Sequence, residues 1–247
     1  EILVPQHGLG TSCNEDIIDL VARDAVRMAA LEPIAEAIAS RFPIGERFPG
    51  GPPFFRNEAQ FLRDVRIAIY REALTALKAL FVHVSQVFWR STLTIADAVR
   101  TVLTHPLDID WIDSLSDEFF ELGITAILRE SAARCAPAEQ VFELLEDYSK
   151  NGRVGVALHL LYAEQLWLRG RLAEAAQALK GTTFPPMMGR KAEALQGAIA
   201  FLTGYTSQSL THYNNSIKVG GKSQQAKMLW FEYPATIVYF FALLAEG

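Results

Sequence analysis

The chain contains 247 residues, of which 50% are hydrophobic and 21% charged, and its formal net charge is −5. A chain of this size buries enough surface for one large or two ordinary domains, and its balance of apolar and charged residues is typical of a globular protein. The net negative charge argues against a self-sufficient nucleic-acid binder, because such domains carry a dense basic face.

Cysteine usage and hydropathy indicate the compartment. Cys13 and Cys135 are far apart in sequence; a single disulfide is an open alternative, but so few cysteines favour a reducing cytosol. The sequence shows no signal-peptide pattern. The longest apolar run, from Ala235 to Ala245, is too short to cross a bilayer. We therefore expect a cytoplasmic chain without membrane association, and a buried helix over this run.

The first 55 residues predict an irregular start, two helices and a break. The proline and glycines of residues 1–13 predict irregular structure. Asn14, followed by two acids, predicts a helix start, and Pro33 predicts a second helix that ends near Ser40. The stretch FPIGERFPGGPPFF, Phe42 to Phe55, predicts either a linker or an ordered loop. Its four phenylalanines favour the ordered loop, because aromatic side chains are costly to expose.

Most of the next hundred residues are predicted to be helical. Helical patterning is nearly continuous from Asn57 to Arg100, and the stretch from Thr104 to Ser116 predicts a turn-rich connection with a short buried piece. A helix pair is expected at about 117–134 and 137–149. No stretch alternates with a period of two for long enough to predict a sheet. The fold is therefore predicted to be all-α, with roughly ten to twelve helices.

From Ala157 to Lys218 the sequence repeats itself. Trp167 aligns with Phe201, Gly170 with Gly204 and Leu179 with Tyr213, and each pair differs by 34 positions (201 − 167 = 34). This is the period of a tetratricopeptide helix–turn–helix unit. A glycine at the same place in both copies predicts a turn with positive φ.

The architecture expected from this repeat is an all-α, right-handed tetratricopeptide-like array of antiparallel helical hairpins, with an additional N-terminal helical subdomain. The predicted divisions are 1–55 for the N-terminal helices and the Pro/Gly-rich connection, 56–150 for a helical region, and 151–247 for the repeats. The ending FALLAEG resembles LWLRG and FLTG, where the two copies turn. We therefore expect a fragment of a longer protein or a processed chain, truncated at the C-terminus.

Candidate catalytic motifs are weak. The stretch VGGKSQ, Val219 to Gln224, is similar to a phosphate-binding loop, but Ser216 stands where that loop needs its first glycine, and a helix precedes it. The five histidines show no metal-ligand spacing, and Cys135 has no paired base. The tryptophans are expected in the core, since Trp167 occupies a repeat position. The sequence therefore predicts a non-enzyme with no catalytic, cofactor-binding or metal-ligating residue.

Candidate partner-binding residues come from the repeats. If the array is a binding surface, the first helix of each pair, about 156–169 and 190–203, should line it. The polar members of these helices are Gln165, Arg169, Glu193 and Gln196. Lys218, Lys222 and Lys227 make the connection after the second repeat basic, which suits either a phosphate or acidic partner or a solvated surface loop.

Several stretches together resemble a known family. They are RNEAQFLRDVRIAIYREALTAL, HPLDIDWIDSL, LEDYSKNGRVGVALHLLYAEQLWLRGRLAEAAQALKG, FLTGYTSQSLTHYNNSIKV and IVYFFALLAEG. Over about residues 56–247 the chain resembles the helical region N-terminal to the motor in large bacterial Swi/Snf-like DEAD/DEAH-box helicases. It departs from that pattern in KVGGKSQQAK, which is less charged than the family's basic loop, and a DNA contact through this loop is therefore left open.

The resemblance implies a helicase accessory region. In that family the ATP site lies in a separate C-terminal motor whose motifs are not in this sequence, so no catalytic residue is carried over. The implied function is a non-catalytic scaffold and regulatory region, with a protein or the parent's own motor as partner. The alternative is a tetratricopeptide-like ligand- or protein-sensing domain of a signal-transduction ATPase or transcription activator. An all-α enzyme is a third hypothesis. The sequence that follows Gly247 should separate the first two.

Overall fold

The computed structural model describes residues 3–6, 10–13, 15–46, 49–50, 53–87, 93–219 and 233–247. The described chain is predominantly helical, which confirms the all-α expectation. It divides into an N-terminal unit, Glu1–Glu130, and a C-terminal unit, Ser131–Gly247. None of the described helices combines the length and apolar character needed to cross a membrane.

The N-terminal unit is built from two short strand pairs and eight helices among its described residues. The helices are α1 (Glu15–Arg27), α2 (Leu31–Arg41), α3 (Glu58–Tyr70), α4 (Leu74–Phe81), α5 (Val84–Val87), α6 (Ile95–Thr104), α7 (Ile109–Asp113) and α8 (Asp117–Ala133), the last of which contains the boundary between the units. Side chains cap several of them, including Thr94, which forms a capping box with Asp97 at the start of α6. Because α1 contacts α3, residues on both sides of the predicted division at 55 belong to one unit.

The expectation of irregular structure over residues 1–13 is wrong. Strands β1 (Leu3–Gln6) and β2 (Gly10–Cys13) pair antiparallel, with Pro5 opposite Thr11. Both strands of a two-stranded ribbon are edges, so a proline without an N–H donor is tolerated there. Strands of four residues are also too short to show a clear period of two.

The Phe42–Phe55 segment also contains a strand pair, where the sequence predicted a linker or an ordered loop. Strand β3 (Gly45–Glu46) pairs with β4 (Pro53–Phe54). Among the three described phenylalanines of this segment, Phe55 is buried, whereas Phe42 and Phe54 are exposed. The Phe55 ring packs edge-on against Phe61 with 5.2 Å between centroids. Phe48 lies outside the described residues.

The C-terminal unit contains the repeats. Its helices are α9 (Glu139–Lys150), α10 (Val156–Leu168), α11 (Leu172–Leu179), α12 (Pro186–Leu202), α13 (Thr206–Val219), a short 3₁₀ helix (Pro234–Thr236) and α14 (Ile237–Glu246). Helix α9 packs on α10, and both belong to this unit. The expectation of a buried helix over Ala235–Ala245 is met only in part: the run is largely helical, but several of its apolar side chains are exposed.

The two repeats have the same local structure. Each first helix ends in a glycine with positive φ, 74° at Gly170 and 90° at Gly204. In both turns the amide of the next residue bonds back five residues, Arg171 to Leu166 at 2.9 Å and Tyr205 to Ala200 at 2.8 Å. This is the Schellman termination of a helix. Burial follows the alignment too, since the aligned pairs Ala175 and Ser209, and Leu179 and Tyr213, are buried, while Leu168 and Leu202 are exposed.

Three other helices end in the same turn without a glycine. Ala29, Glu72 and Cys135 have φ values of 53°, 51° and 51°. The residue after each bonds back across the helix end in the same way, as in Ala73 to Ala68 at 2.9 Å. Nothing in the local sequence indicates these positions, because glycine is the usual residue at this conformation.

Candidate binding surface

A cleft beside α12 brings together part of the predicted partner-binding set. Glu193 and Gln196 lie on one face of α12, three residues apart. With the connection after α11 and the end of α13 they line a cleft of 420 Å³, called the α12 cleft here. Its lining residues are Thr182, Phe184, Pro186, Gly189, Ala192, Glu193, Gln196 and Val219. Lys218 precedes Val219 and is exposed, so a lysine lies next to this cleft.

A histidine fixes the carboxylate of the α12 cleft. Nδ1 of His212 on α13 lies 2.9 Å from Oε2 of Glu193. This contact ties α12 to α13 and holds the carboxylate in one position. The α12 cleft therefore presents a fixed acceptor at Glu193, an amide at Gln196 and apolar walls from Phe184 and Val219, a combination that suits a polar peptide segment with apolar anchors.

The other two predicted residues lie at the end of α10, where Gln165 is buried and Arg169 is half-buried. Gln165 is only 2% exposed, and its Oε1 accepts a hydrogen bond from Nη1 of Arg169 at 2.7 Å. The Arg169 guanidinium lies over the Phe142 ring at 3.9 Å and 3.6 Å from Glu139. This pair therefore holds α10 against α9, and Gln165 is placed for internal packing rather than for docking.

A network of ion pairs fixes α9, α10 and α11. Glu146 lies 2.7 Å from Arg171 and 3.3 Å from Lys150, and it accepts a hydrogen bond from Tyr162 at 3.1 Å. Burial alone would raise the pKa of Glu146, but the hydrogen bonds from Arg171, Lys150 and Tyr162 outweigh it and lower the pKa. Burial and the Glu146 charge raise the pKa of Tyr162 to about 12. A network of this kind gives the repeats a rigid base.

Comparisons of the chain with protein-family models, with curated proteins and with solved structures find no match. The function of the site must therefore be argued from its residues. Lys222 and Lys227 lie outside the described residues, so the structure does not place them relative to Lys218. In the part of the chain that the structure describes, no group of three His, Cys, Asp or Glu side chains is arranged to hold a metal ion. Cys135 is an exposed free thiol.

Sequence reasoning missed one buried charged residue on α12. Arg190 on α12 is 5% exposed, and its Nε and Nη1 atoms have no hydrogen-bond acceptor among the described residues. Its burial lowers the pKa of the guanidinium. Arg190 aligns with Val156 in the first repeat (190 − 156 = 34). Because Val156 is exposed, the alignment gave no signal that Arg190 would be buried.

A buried polar cluster in the N-terminal unit was also missed. The Asp19 carboxylate is fully buried and accepts hydrogen bonds from Tyr70 Oη at 2.6 Å and Arg66 Nε at 3.3 Å. Burial raises the pKa of Asp19 although Tyr70, Arg66 and Arg23 oppose the shift. Arg23 is buried too; it donates to the Val102 carbonyl at 2.7 Å and lies 4.5 Å from the Trp111 ring centroid. Trp111 is therefore in the core, as expected.

A second cleft lies beside this cluster. It has a volume of 630 Å³ and is lined by α1, α2 and α3. Its walls are mostly isoleucine, leucine, valine and alanine, with Arg66 and Tyr70 among the polar members. Of the described side chains of α2, only Ala35 is buried. An apolar cleft of this volume is in the size range of small-molecule sites.

Proposed function

We propose that the chain is a non-catalytic, tetratricopeptide-like scaffold and regulatory region of a bacterial Swi/Snf-like ATP-dependent DNA translocase. The observation that carries this proposal is the repeated helix pair, α10 with α11 and α12 with α13. The two pairs share their spacing, their turn and their buried positions, and the resemblance of residues 56–247 gives the family. A stack of such pairs presents residues from successive first helices on a common surface.

The docking surface within this proposal is the α12 cleft. Glu193 is held by His212, Gln196 lies on the same helix face, and Lys218 is close to Val219 at the rim. The side chains that contact a partner are thus held before binding, which limits the entropy lost on association. The partner that this proposal names is the parent protein's own motor domain, and the chain would modulate the motor's access to DNA.

The reading frame that encodes the chain gives the first test. The proposal predicts that the frame contains a motor with Walker motifs. That motor, purified separately, should hydrolyse ATP at a DNA-stimulated rate that changes when this chain is added. A variant with Glu193→Lys and Gln196→Ala should lose most of the effect, whereas the matched control Glu143→Lys, on the exposed face of α9, should keep it. ATP turnover by the chain alone, or no change in the motor's rate, would contradict the proposal.

The second candidate is a tetratricopeptide-like sensor domain of a signal-transduction ATPase or transcription activator. The 630 Å³ cleft lined by α1, α2 and α3 favours it, because this cleft has the size and the apolar walls of a ligand site. This candidate predicts that the reading frame contains a helix-turn-helix DNA-binding domain. It also predicts saturable binding of a small apolar ligand that the substitution Ile34→Asp, at the cleft wall, abolishes without unfolding the chain.

A further inference from the structure

A buried arginine of the C-terminal unit has no acidic partner among the residues that the structure describes. Arg190 is 5% exposed, and two of its guanidinium nitrogens, Nε and Nη1, are enclosed without an acceptor among the described residues. A guanidinium carries five N–H donors and stays protonated in proteins. A buried charge with neither a counter-ion nor hydrogen bonds is strongly unfavourable. A bound anion would therefore remove this energetic cost.

The first repeat has no cation at the aligned position. Val156 stands there, at the start of α10, and is exposed, whereas Arg190 lies inside α12 and is buried. The hydrogen bond that α13 makes to Arg190 goes to its backbone, because Oγ of Ser216 donates to the Arg190 carbonyl at 2.8 Å. Any residue at position 190 would accept that bond. The guanidinium group itself is thus unexplained by the contacts of the helix pair.

Two features of the helix pair near Arg190 favour an anion. Lys218, in the last turn of α13, lies two residues after Ser216, whose side chain contacts the Arg190 carbonyl. Helix α12 begins at Pro186 with no acidic residue in its first turn and no side-chain cap. A helix N-terminus carries a partial positive charge and unbonded N–H groups. Glu193, one turn further along, is engaged by His212. This stretch of the unit therefore favours a bound anion.

We propose that Arg190 anchors a binding site for a phosphate-class oxyanion near the start of α12, with Lys218 at its rim. Arginine is well suited to such ligands, because its planar donors match the oxygens of a phosphoryl group. The same chemistry is offered by free inorganic phosphate and by the phosphoryl group of a small phosphomonoester. This proposal goes beyond the scaffold function and does not depend on it.

Thermal unfolding of the full chain in sodium phosphate and in sodium chloride at matched ionic strength gives the test. Phosphate should raise Tm saturably, and at a concentration ten times its Kd it should increase the folding equilibrium constant about 11-fold. Arg190→Val, which places the residue of the first repeat at this position, should lose the phosphate effect and be at least as stable as the wild type in chloride. The exposed Arg153→Gln is the matched control and should keep the phosphate effect.

If Arg190→Val does not fold, a direct measurement on the wild-type chain still tests the proposal. In ¹⁵N NMR, the Arg190 Nε–Hε signal, assigned by its loss in Arg190→Lys, should shift saturably with inorganic phosphate and not with chloride. Ribose 5-phosphate is the second arm: tighter binding than inorganic phosphate would identify a phosphomonoester as the ligand, and equal binding would identify free phosphate.

Three results would overturn the proposal. The first is an equal phosphate effect on Tm in the wild type and in Arg190→Val. The second is an Arg190 signal that does not respond to phosphate. The third concerns Glu232, the only acidic residue between Val219 and Tyr233 in the sequence. If a double-mutant cycle of Arg190→Val and Glu232→Gln shows strong coupling in the absence of phosphate, the counter-ion is internal and no ligand site exists.

Discussion

The close approach of α12 and α13 at Gly197 gives the most discriminating prediction about the repeats. A Cβ atom at Gly197 would lie 2.9 to 3.1 Å from three ring atoms of Tyr213, which is closer than van der Waals contact allows. The ring cannot move aside cheaply, because it is fully buried and its hydroxyl donates to the Ala235 carbonyl at 2.7 Å. In the first repeat, Ala163 aligns with Gly197 and Leu179 aligns with Tyr213.

The expected effect of Gly197→Ala follows from two opposed terms. Overpacking of a core costs about 1–3 kcal/mol, and replacing glycine by alanine inside a helix gains about 1 kcal/mol. We therefore expect a net destabilisation of about 1 kcal/mol in the wild-type background. In the Tyr213→Leu background the ring is gone, so the same substitution should stabilise the chain by about 0.5–1 kcal/mol. The sign of the effect should thus reverse between the two backgrounds.

Urea unfolding followed by circular dichroism measures these free energies, provided that the slope with urea is unchanged. Gly189→Ala is the matched control on the same helix. Its Cβ would meet the Phe184 carbonyl oxygen at an ordinary 3.6 Å, so this variant should be as stable as the wild type or slightly more so. If Gly197→Ala stabilises the wild type, or if its effect is the same in both backgrounds, the described contact between α12 and Tyr213 is wrong.

Three further predictions concern turns and titrating groups. Cys135→Gly should stabilise the chain by about 0.5–1 kcal/mol in urea unfolding, because Cys135 has a φ of 51° that glycine adopts without strain. Gly170→Ala should destabilise the chain by a similar amount. If Cys135→Gly destabilises the chain and Gly170→Ala stabilises it, the turn geometry is wrong. Burial of Asp108 raises its pKa, but the Trp111 amide and the Arg27 guanidinium outweigh this and lower the pKa below its usual 3.8. The ionised Asp108 therefore stabilises the fold above pH 3.8, and this stabilisation is lost as the pH falls through the lower pKa of the folded state. Asp108→Asn should be less stable than the wild type at pH 6 and should differ less from it at pH 2. Asp19 should show the opposite pH dependence, because burial raises its pKa above 3.8. Its contribution to the free energy of unfolding is therefore most favourable below pH 3.8 and is lost as the pH rises. The stability of Asp19→Asn relative to the wild type should therefore increase from pH 3 to pH 7, and a flat difference would show that Asp19 is not buried.

The turns at Gly170 and Gly204 were predictable because their determinants are local. Gly170 and Gly204 stand at the same place in two aligned copies, and a helix that ends in a positive-φ residue selects glycine. The turns at Ala29, Glu72 and Cys135 use the same geometry without that residue. There, tertiary packing stabilises a backbone conformation that the local sequence disfavours, so no sequence pattern indicates it.

The candidate site was only partly predictable. Glu193 and Gln196 lie on one helix face, which the helical period gives directly. Gln165 was expected on a surface, yet α10 is buried on nearly all sides. The apolar residues around the whole of α10 were a signal of this, since a helix that is hydrophobic all round is a buried helix. The burial of Arg190 depends on tertiary packing of α12, which several other helices contact, so no local pattern reveals it.

The measurement that tests the proposed scaffold function most directly is hydrogen–deuterium exchange of the chain with and without the motor domain from its own reading frame. The proposal predicts slower exchange on binding in the segments that line the α12 cleft, namely 182–196 and the end of α13, and no such change in the Glu193→Lys, Gln196→Ala variant. Unchanged exchange throughout the chain at saturating motor would contradict it. Protection confined to α1, α2 and α3 would also contradict it, and would favour the sensor function.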